Sequence, residues 1–180
     1  MSDILLIALW SVVSILTIAL VLATLYMGFE VWALMSFAPF VSSGKKKFKL
    51  MLDLAQIKEG TKIVELGSGT GELCLMAAER GAQALGIELN PLLVAWSRSR
   101  VRAKKLQARC RFLRKNLWHA KLPPDTDVVF LYGMPYSMPK IWKKLRSEVK
   151  HGTLIVSNGF KFPERRPEKE AAGVRLYRME

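Results

Sequence analysis

An α/β domain with a mostly parallel sheet, helices on both of its faces and one membrane-spanning helix in front of it is what this 180-residue sequence predicts. Three observations predict it. A charge-free apolar run extends from Ile4 to Met27, apolar runs alternate with helical patterns between residues 62 and 157, and a glycine-rich turn, Gly67 to Gly71, follows the first of those runs. The length suits one globular domain and one extra segment, divided here as an anchor with its interfacial segment over 1–40 and a domain over 41–180.

The run Ile4 to Met27 exceeds the ~20 apolar residues needed to cross about 30 Å of hydrocarbon. Its apolar character continues past Glu30 to Phe40 and reads as a helix end at the interface, with Trp32 as its anchor. A cleaved signal peptide is the competing reading, but the start lacks a basic region and the run is too long. Asp3 precedes the span and Lys45, Lys46, Lys47 and Lys49 follow it, so the positive-inside rule places the domain on the cytoplasmic side. The absence of an Arg-rich transit peptide points to a prokaryotic plasma membrane, with an organellar inner membrane as the eukaryotic counterpart.

Beyond the lysines, Phe48, Leu50, Met51, Leu54 and Ala55 recur at helical spacing and form a lead-in helix that Gly60 stops. The pattern then predicts strand 62–66, helix 71–80, strand 84–88, helix 91–106, strands 111–114 and 128–132, helix 135–149 and strand 153–157. Pro91 stands where a helix tolerates proline, and Gly81 where a helix end wants a left-handed residue. Val174, Leu176 and Tyr177 predict a last, short edge strand running the other way. Any elements covering a substrate after residue 157 are abbreviated.

The net charge of +13 calls for anionic partners. From Arg98 to Lys115 there are basic residues at 98, 100, 102, 104, 105, 109, 111, 114 and 115 and no acid, whereas a merely solvated helix mixes its signs. Acidic lipid headgroups are the partner this implies for a membrane-anchored domain. Nucleic acid is disfavoured, because aromatic residues are not interleaved as stacking platforms. Cys74 and Cys110 have no CxxC spacing and no histidine cluster beside them, so no metal site and no disulfide framework is indicated.

Glycines after a strand let the backbone turn tightly and approach a ligand at the carboxyl edge of the sheet; an ordinary strand-to-helix turn is the alternative. A dinucleotide site needs GxGxxG, with a pyrophosphate on the helix N-terminus. Here Gly67, Gly69 and Gly71 run GxGxG through Ser68 and Thr70, and Glu72 takes the place of a third glycine. Glu65 and Glu72 oppose a pyrophosphate and suit a cationic ligand without phosphate, such as S-adenosylmethionine; Glu72 reads first as a residue favourable to the helix dipole. Glu88 ends the next strand about 20 residues on, where an acid accepts both ribose hydroxyls. Asn116 can hydrogen-bond an adenine edge, with Leu117 and Trp118 as apolar contacts.

These residues, in a Rossmann-like setting, resemble the seven-strand methyltransferase superfamily from about Pro39 to Pro163. Within it they resemble the small membrane-associated lysine methyltransferases of the ATP synthase c subunit and the adenine nucleotide translocase, with their prokaryotic relatives. The resemblance rests on Pro39-Phe40-Val41, Glu65 to Gly69 with Gly71, Gly86-Ile87-Glu88-Leu89-Asn90-Pro91 with Leu93-Val94 and Ser97-Arg98, Leu117-Trp118, and Val128-Val129 leading into Gly133-Met134-Pro135. It implies S-adenosylmethionine contacts from Glu65, Gly67, Gly69, Glu88 and Asn116. The chain departs from the family pattern at Ser42, Thr70 and Asn116.

The expectation is therefore a membrane-anchored methyltransferase that modifies lysine on a membrane protein, in which proximity and desolvation carry most of the catalysis. Tyr132, Gly133 and Pro135 are placed to line an acceptor pocket, and Tyr136 to contact the amine; packing is the alternative for both tyrosines. Two other classes stay open: a methyltransferase of a lipid or lipophilic small molecule, and a non-catalytic cofactor-binding scaffold.

Overall fold

The computed structural model describes residues 3–36 and 44–180, and the chain divides into two compact units, Met1–Pro39 and Phe40–Glu180. The expectations for Pro39, Phe40, Val41 and Ser42, and for the Trp32 side chain, lie outside what is described.

The first unit is one helix, α1 (Asp3–Ser36). Its stretch Asp3–Val31 has a mean hydropathy of 2.8 and buries none of its surface in the protein. At 1.5 Å per residue this stretch extends ~43 Å, longer than a hydrocarbon core. Three of its hydroxyls need no water: Ser11, Thr17 and Thr24 donate to the carbonyls four residues back at 2.8, 2.8 and 2.9 Å.

The second unit runs α2 (Lys45–Leu54), β1 (Lys62–Leu66), α3 (Glu72–Glu79), β2 (Gln83–Glu88), α4 (Pro91–Ala103), β3 (Cys110–Arg114), β4 (Val128–Leu131), α5 (Met138–Glu148), β5 (Leu154–Asn158), β6 (Lys169–Ala171) and β7 (Val174–Arg178). The strands form one seven-stranded sheet in the order β3-β2-β1-β4-β5-β7-β6. β7 alone is antiparallel to the strands on either side of it. Alternation within each strand feeds two cores. On one face Ile63, Phe130 and Val156 meet Leu52 of α2, Leu73, Ala77 and Ala78 of α3 and Val94 and Val101 of α4. On the other, Trp142 of α5 meets Phe162 and Tyr177 edge-on at 4.9 and 6.2 Å, and those two rings lie 5.1 Å apart. All four residues of β4 are buried, as a parallel strand covered on both faces requires.

Three differences from the sequence reading have local causes. The strand at Val174 is not the edge: β6 pairs outside it through a two-residue turn whose Ala172 and Gly173 both have left-handed φ, 48° and 77°. The pattern around Pro135 opens as a short 3-10 turn, Pro135–Ser137, before α5. α4 stops at Ala103 instead of running to 106, because Lys105 turns left-handed (φ 56°) and the Leu106 N–H reaches back to the Val101 carbonyl at 3.0 Å.

Candidate functional site

β1, β2, β4 and β5 run parallel and in register, Leu66 opposite Ile87 and Leu131, and Leu131 opposite Ser157. Every strand-end residue marked in the sequence therefore emerges at one edge. From β1 the chain turns through Gly67, Gly69 and Gly71, all left-handed (φ 76°, 53° and 73°). The loop spends its amides on itself and on β2. The N–H groups of Gly67 and Ser68 both donate to the Ile87 carbonyl (2.9 and 3.1 Å), and that of Gly71 to the Ser68 carbonyl (2.8 Å). The Gly69 N–H donates to Glu88 Oε2 (2.9 Å).

Glu88 is thus a bracket. Its Oε1 accepts from the Leu89 and Asn90 N–H groups at 2.8 Å each, and Asn90 Oδ1 caps α4 by accepting from Leu92 and Leu93. Half-buried, with about four acceptor positions of which three are taken, the Glu88 carboxylate keeps capacity for a ligand. The Lys115 N–H donates to the Glu88 carbonyl at 2.9 Å, bringing Asn116 and Leu117 beside it. Asn116 Oδ1 accepts from the Trp118 N–H (3.0 Å), which leaves the amide nitrogen to donate elsewhere, while Leu117 is buried. Ser68 Oγ is buried and has no partner among the described residues, and such an orphaned hydroxyl points to a missing water or ligand.

Two α4 side chains absent from the sequence-level site hold this loop from behind. Ser97 Oγ lies 3.1 Å from the Gly69 carbonyl. Arg100 donates to the Thr70 carbonyl at 3.0 Å and pairs with Glu72. A third, Arg98, fastens α4 to β3 by donating twice to the Phe112 carbonyl, at 3.2 and 2.8 Å. In the sequence, Ser97 and Arg98 stood in the family motif and Arg98 and Arg100 in the basic stretch, with no role at the loop assigned to any of them.

The electrostatic match expected of Glu65 and Glu72 needs correcting. The charge of Glu72 is met by Arg100. Glu65 points into the core, where its carboxylate accepts from the Cys74 thiol at 3.2 Å; burial pushes its pKa up to about 8, and burial likewise raises Cys74. A carboxyl whose folded pKa lies above its unfolded value binds more protons folded, so stability falls as pH rises from about 4.5 to about 8 and is flat beyond. Glu65→Gln is expected to remove that slope, by an amount on the order of a few kcal/mol across the window; urea unfolding at pH 5, 6.5 and 8 checks it.

At the β4 end, Tyr132 is half-buried with its ring 5.9 Å from that of Phe160, Pro135 is exposed, and Tyr136 is 61% exposed. The packing alternative suits Tyr132 and not Tyr136. Gly133 is fixed by close packing, since a Cβ there would lie 2.8 Å from Met138 Sδ and 2.9 Å from Ile141 Cδ1.

Known proteins share both this sequence pattern and this fold. The family model of the ANTKMT methyltransferase domain matches residues 65–169, more than half of the chain. The chain is 32% identical over 130 residues to the lysine N-methyltransferase of the ATP synthase c subunit from Rattus norvegicus, covering 72% of this chain and 59% of that protein. It is likewise 32% identical to the adenine nucleotide translocase lysine N-methyltransferase of Mus musculus, covering 72% and 56%. The chain thus spans less than two thirds of either relative. Among solved structures, an RNA methyltransferase from Salinibacter ruber in complex with S-adenosyl-L-homocysteine superposes with a TM-score of 0.72 at 29% identity, over 77% of this chain and 92% of that one.

Proposed function

Since the chain belongs to the ANTKMT methyltransferase domain family, we propose that it is a membrane-anchored, S-adenosylmethionine-dependent methyltransferase that methylates lysine on a membrane protein. The observation that carries this is the Glu88 carboxylate, held 2.9 Å from the Gly69 N–H so that a ribose-binding acid and the glycine loop form one surface.

The residues fit that cofactor. Because the amides of Gly67, Ser68, Gly69 and Gly71 are already bonded, the loop offers a phosphate little, and a phosphate-free adenosyl group loses nothing by it. Glu88 takes a ribose hydroxyl with its remaining acceptor position, Asn116 donates to the adenine edge and Leu117 supplies apolar contact; Gly67, Ser68, Gly69 and Gly71 shape the wall. Bound there, S-adenosylmethionine supplies an electrophilic methyl group. Tyr132, Pro135 and Tyr136 line the approach of the acceptor, whose amine must arrive unprotonated, a state that an apolar surrounding favours. In this reading α1 anchors the protein in the bilayer, which its length and apolar composition support, and the lysines after it support a domain on the cytoplasmic side.

Arg100 acts through the loop. Arg100→Ala is expected to weaken cofactor affinity roughly 5- to 20-fold, about 1–2 kcal/mol, with kcat at saturating cofactor little changed, and Arg100→Lys is expected to recover part of the loss. Steady-state kinetics that separate KM from kcat check it.

The deciding experiment incubates the full-length protein in detergent with radiolabelled S-adenosylmethionine and membranes, beside its Glu88→Ala variant, and separates protein, lipid and RNA. A labelled membrane protein that disappears with the variant, with label on lysine after hydrolysis, supports the reading. Label only in lipid, or only in RNA as the Salinibacter ruber neighbour would suggest, overturns its substrate. Cofactor binding without any label overturns the enzyme.

A further inference from the structure

We propose that the groove between α4 and the β3 edge is a docking site for the anionic headgroup surface of a bilayer, an inference that rests on the membrane-anchored reading above. Of the nine basic residues from 98 to 115, three are neutralised within the protein: Arg100 by Glu72, Lys104 by Glu79 and Arg109 by Glu59. Arg98, Arg102, Lys105, Arg111, Arg114 and Lys115 have no carboxylate partner among the described residues. Three of these six converge. Arg98 and Arg102 from α4 and Arg111 from β3 line an open groove of about 310 Å³ with Val101, Phe112 and Leu113.

The surroundings decide what kind of anion it faces. In the described part of the second unit, the exposed large hydrophobic side chains are Leu92 (62%), Trp96 (59%), Leu113 (44%) and Tyr136. Leu113 lines the groove, and Leu92 and Trp96 lie on α4, so the two elements that form the groove carry both the cations and the unsupported apolar groups. A nucleic acid matches the cations and leaves Leu92 and Leu113 in water. A bilayer interface takes both, with tryptophan at headgroup depth. β3 is also the outer strand of the sheet, and its arginines keep it from pairing with other chains while leaving it open to lipid. Because α1 is on the same polypeptide, the tether raises the effective concentration of bilayer at the groove, and a shallow site suffices.

The test uses the full chain in nanodiscs of phosphatidylcholine alone and of phosphatidylcholine with phosphatidylglycerol, with phenylglyoxal labelling of arginine followed by peptide mapping. In the anionic discs, labelling of Arg102 and Arg111 is expected to slow by about fivefold, the protection of a basic residue held at an anionic surface. Arg165 and Arg166, outside the groove, serve as references and are expected to label equally in both discs. Equal labelling of Arg102 and Arg111 in the two discs overturns the proposal, as does protection that appears in neutral discs only when RNA is added. S-adenosylmethionine binding measured on the same discs separates the two readings: protection without binding supports the groove and counts against the methyltransferase reading, and binding without protection does the reverse.

Discussion

Glu88→Ala is expected to weaken cofactor binding roughly ten- to a hundredfold. A ribose hydroxyl donating to the remaining acceptor position of the carboxylate forms a charge-assisted hydrogen bond of about 1.5–3 kcal/mol, which the alanine variant loses. The same substitution removes the acceptor for the N–H groups of Gly69, Leu89 and Asn90, so the loop loosens as well as the ligand contact. Glu88→Gln separates the effects in part: its one acceptor oxygen can keep the Leu89 and Asn90 N–H groups while the Gly69 N–H loses its acceptor, and an affinity and a melting temperature between those of wild type and Glu88→Ala are expected. Calorimetric titration beside a thermal melt reads both. Affinity of the alanine variant within about threefold of wild type would reduce Glu88 to a structural bracket.

Gly71→Ala is expected to produce the largest loss of stability. A Cβ at this position lies 2.4 Å from Phe112 Cζ and 3.0 Å from Ser97 Oγ, and the backbone sits at φ 73°. Overpacking costs about 1–3 kcal/mol and a left-handed alanine about 1–2 more. Together they lower the melting temperature of the domain by on the order of 10 °C. The two causes are separable, because Phe112→Leu in the same chain opens space for the methyl group and leaves the backbone strain. The double variant is therefore expected to recover part of the loss, and full recovery would show that φ contributes nothing.

Signals local in the chain made most of the fold legible. Pro91 announced the start of α4, the GxGxG run announced the β1 turn, and the apolar runs gave the parallel strands to within a residue or two. What escaped depended on contacts distant in sequence or on residues that imitate glycine. Lys105 and Ala172 hold left-handed backbone without the residue type that advertises it, which hid the end of α4 and the β6–β7 hairpin. In the candidate site, the glycine turn after β1 and the strand-end position of Glu88 were legible. The clamp of Arg100 on Thr70 was not, because it joins residues thirty apart in sequence. Nor was the raised pKa of Glu65, which follows from burial, a property of the folded core.

The self-satisfied amides of the glycine loop bear on competition inside a cell. ATP and NAD carry the same adenine and ribose that Asn116 and Glu88 are proposed to recognise, and on that proposal both subsites would accept them equally well. Selectivity therefore has to arise where the molecules differ. A phosphate chain arriving at this loop meets N–H groups already committed to Ile87, Glu88 and Ser68, and Glu72 at the start of α3. It loses its hydration, gains nothing from those four amides, and meets the Glu72 carboxylate where the uncapped first turn of α3 would otherwise offer donors. The loop acts as a filter against the abundant phosphorylated adenosines, and it does so through hydrogen bonds that it makes to its own chain.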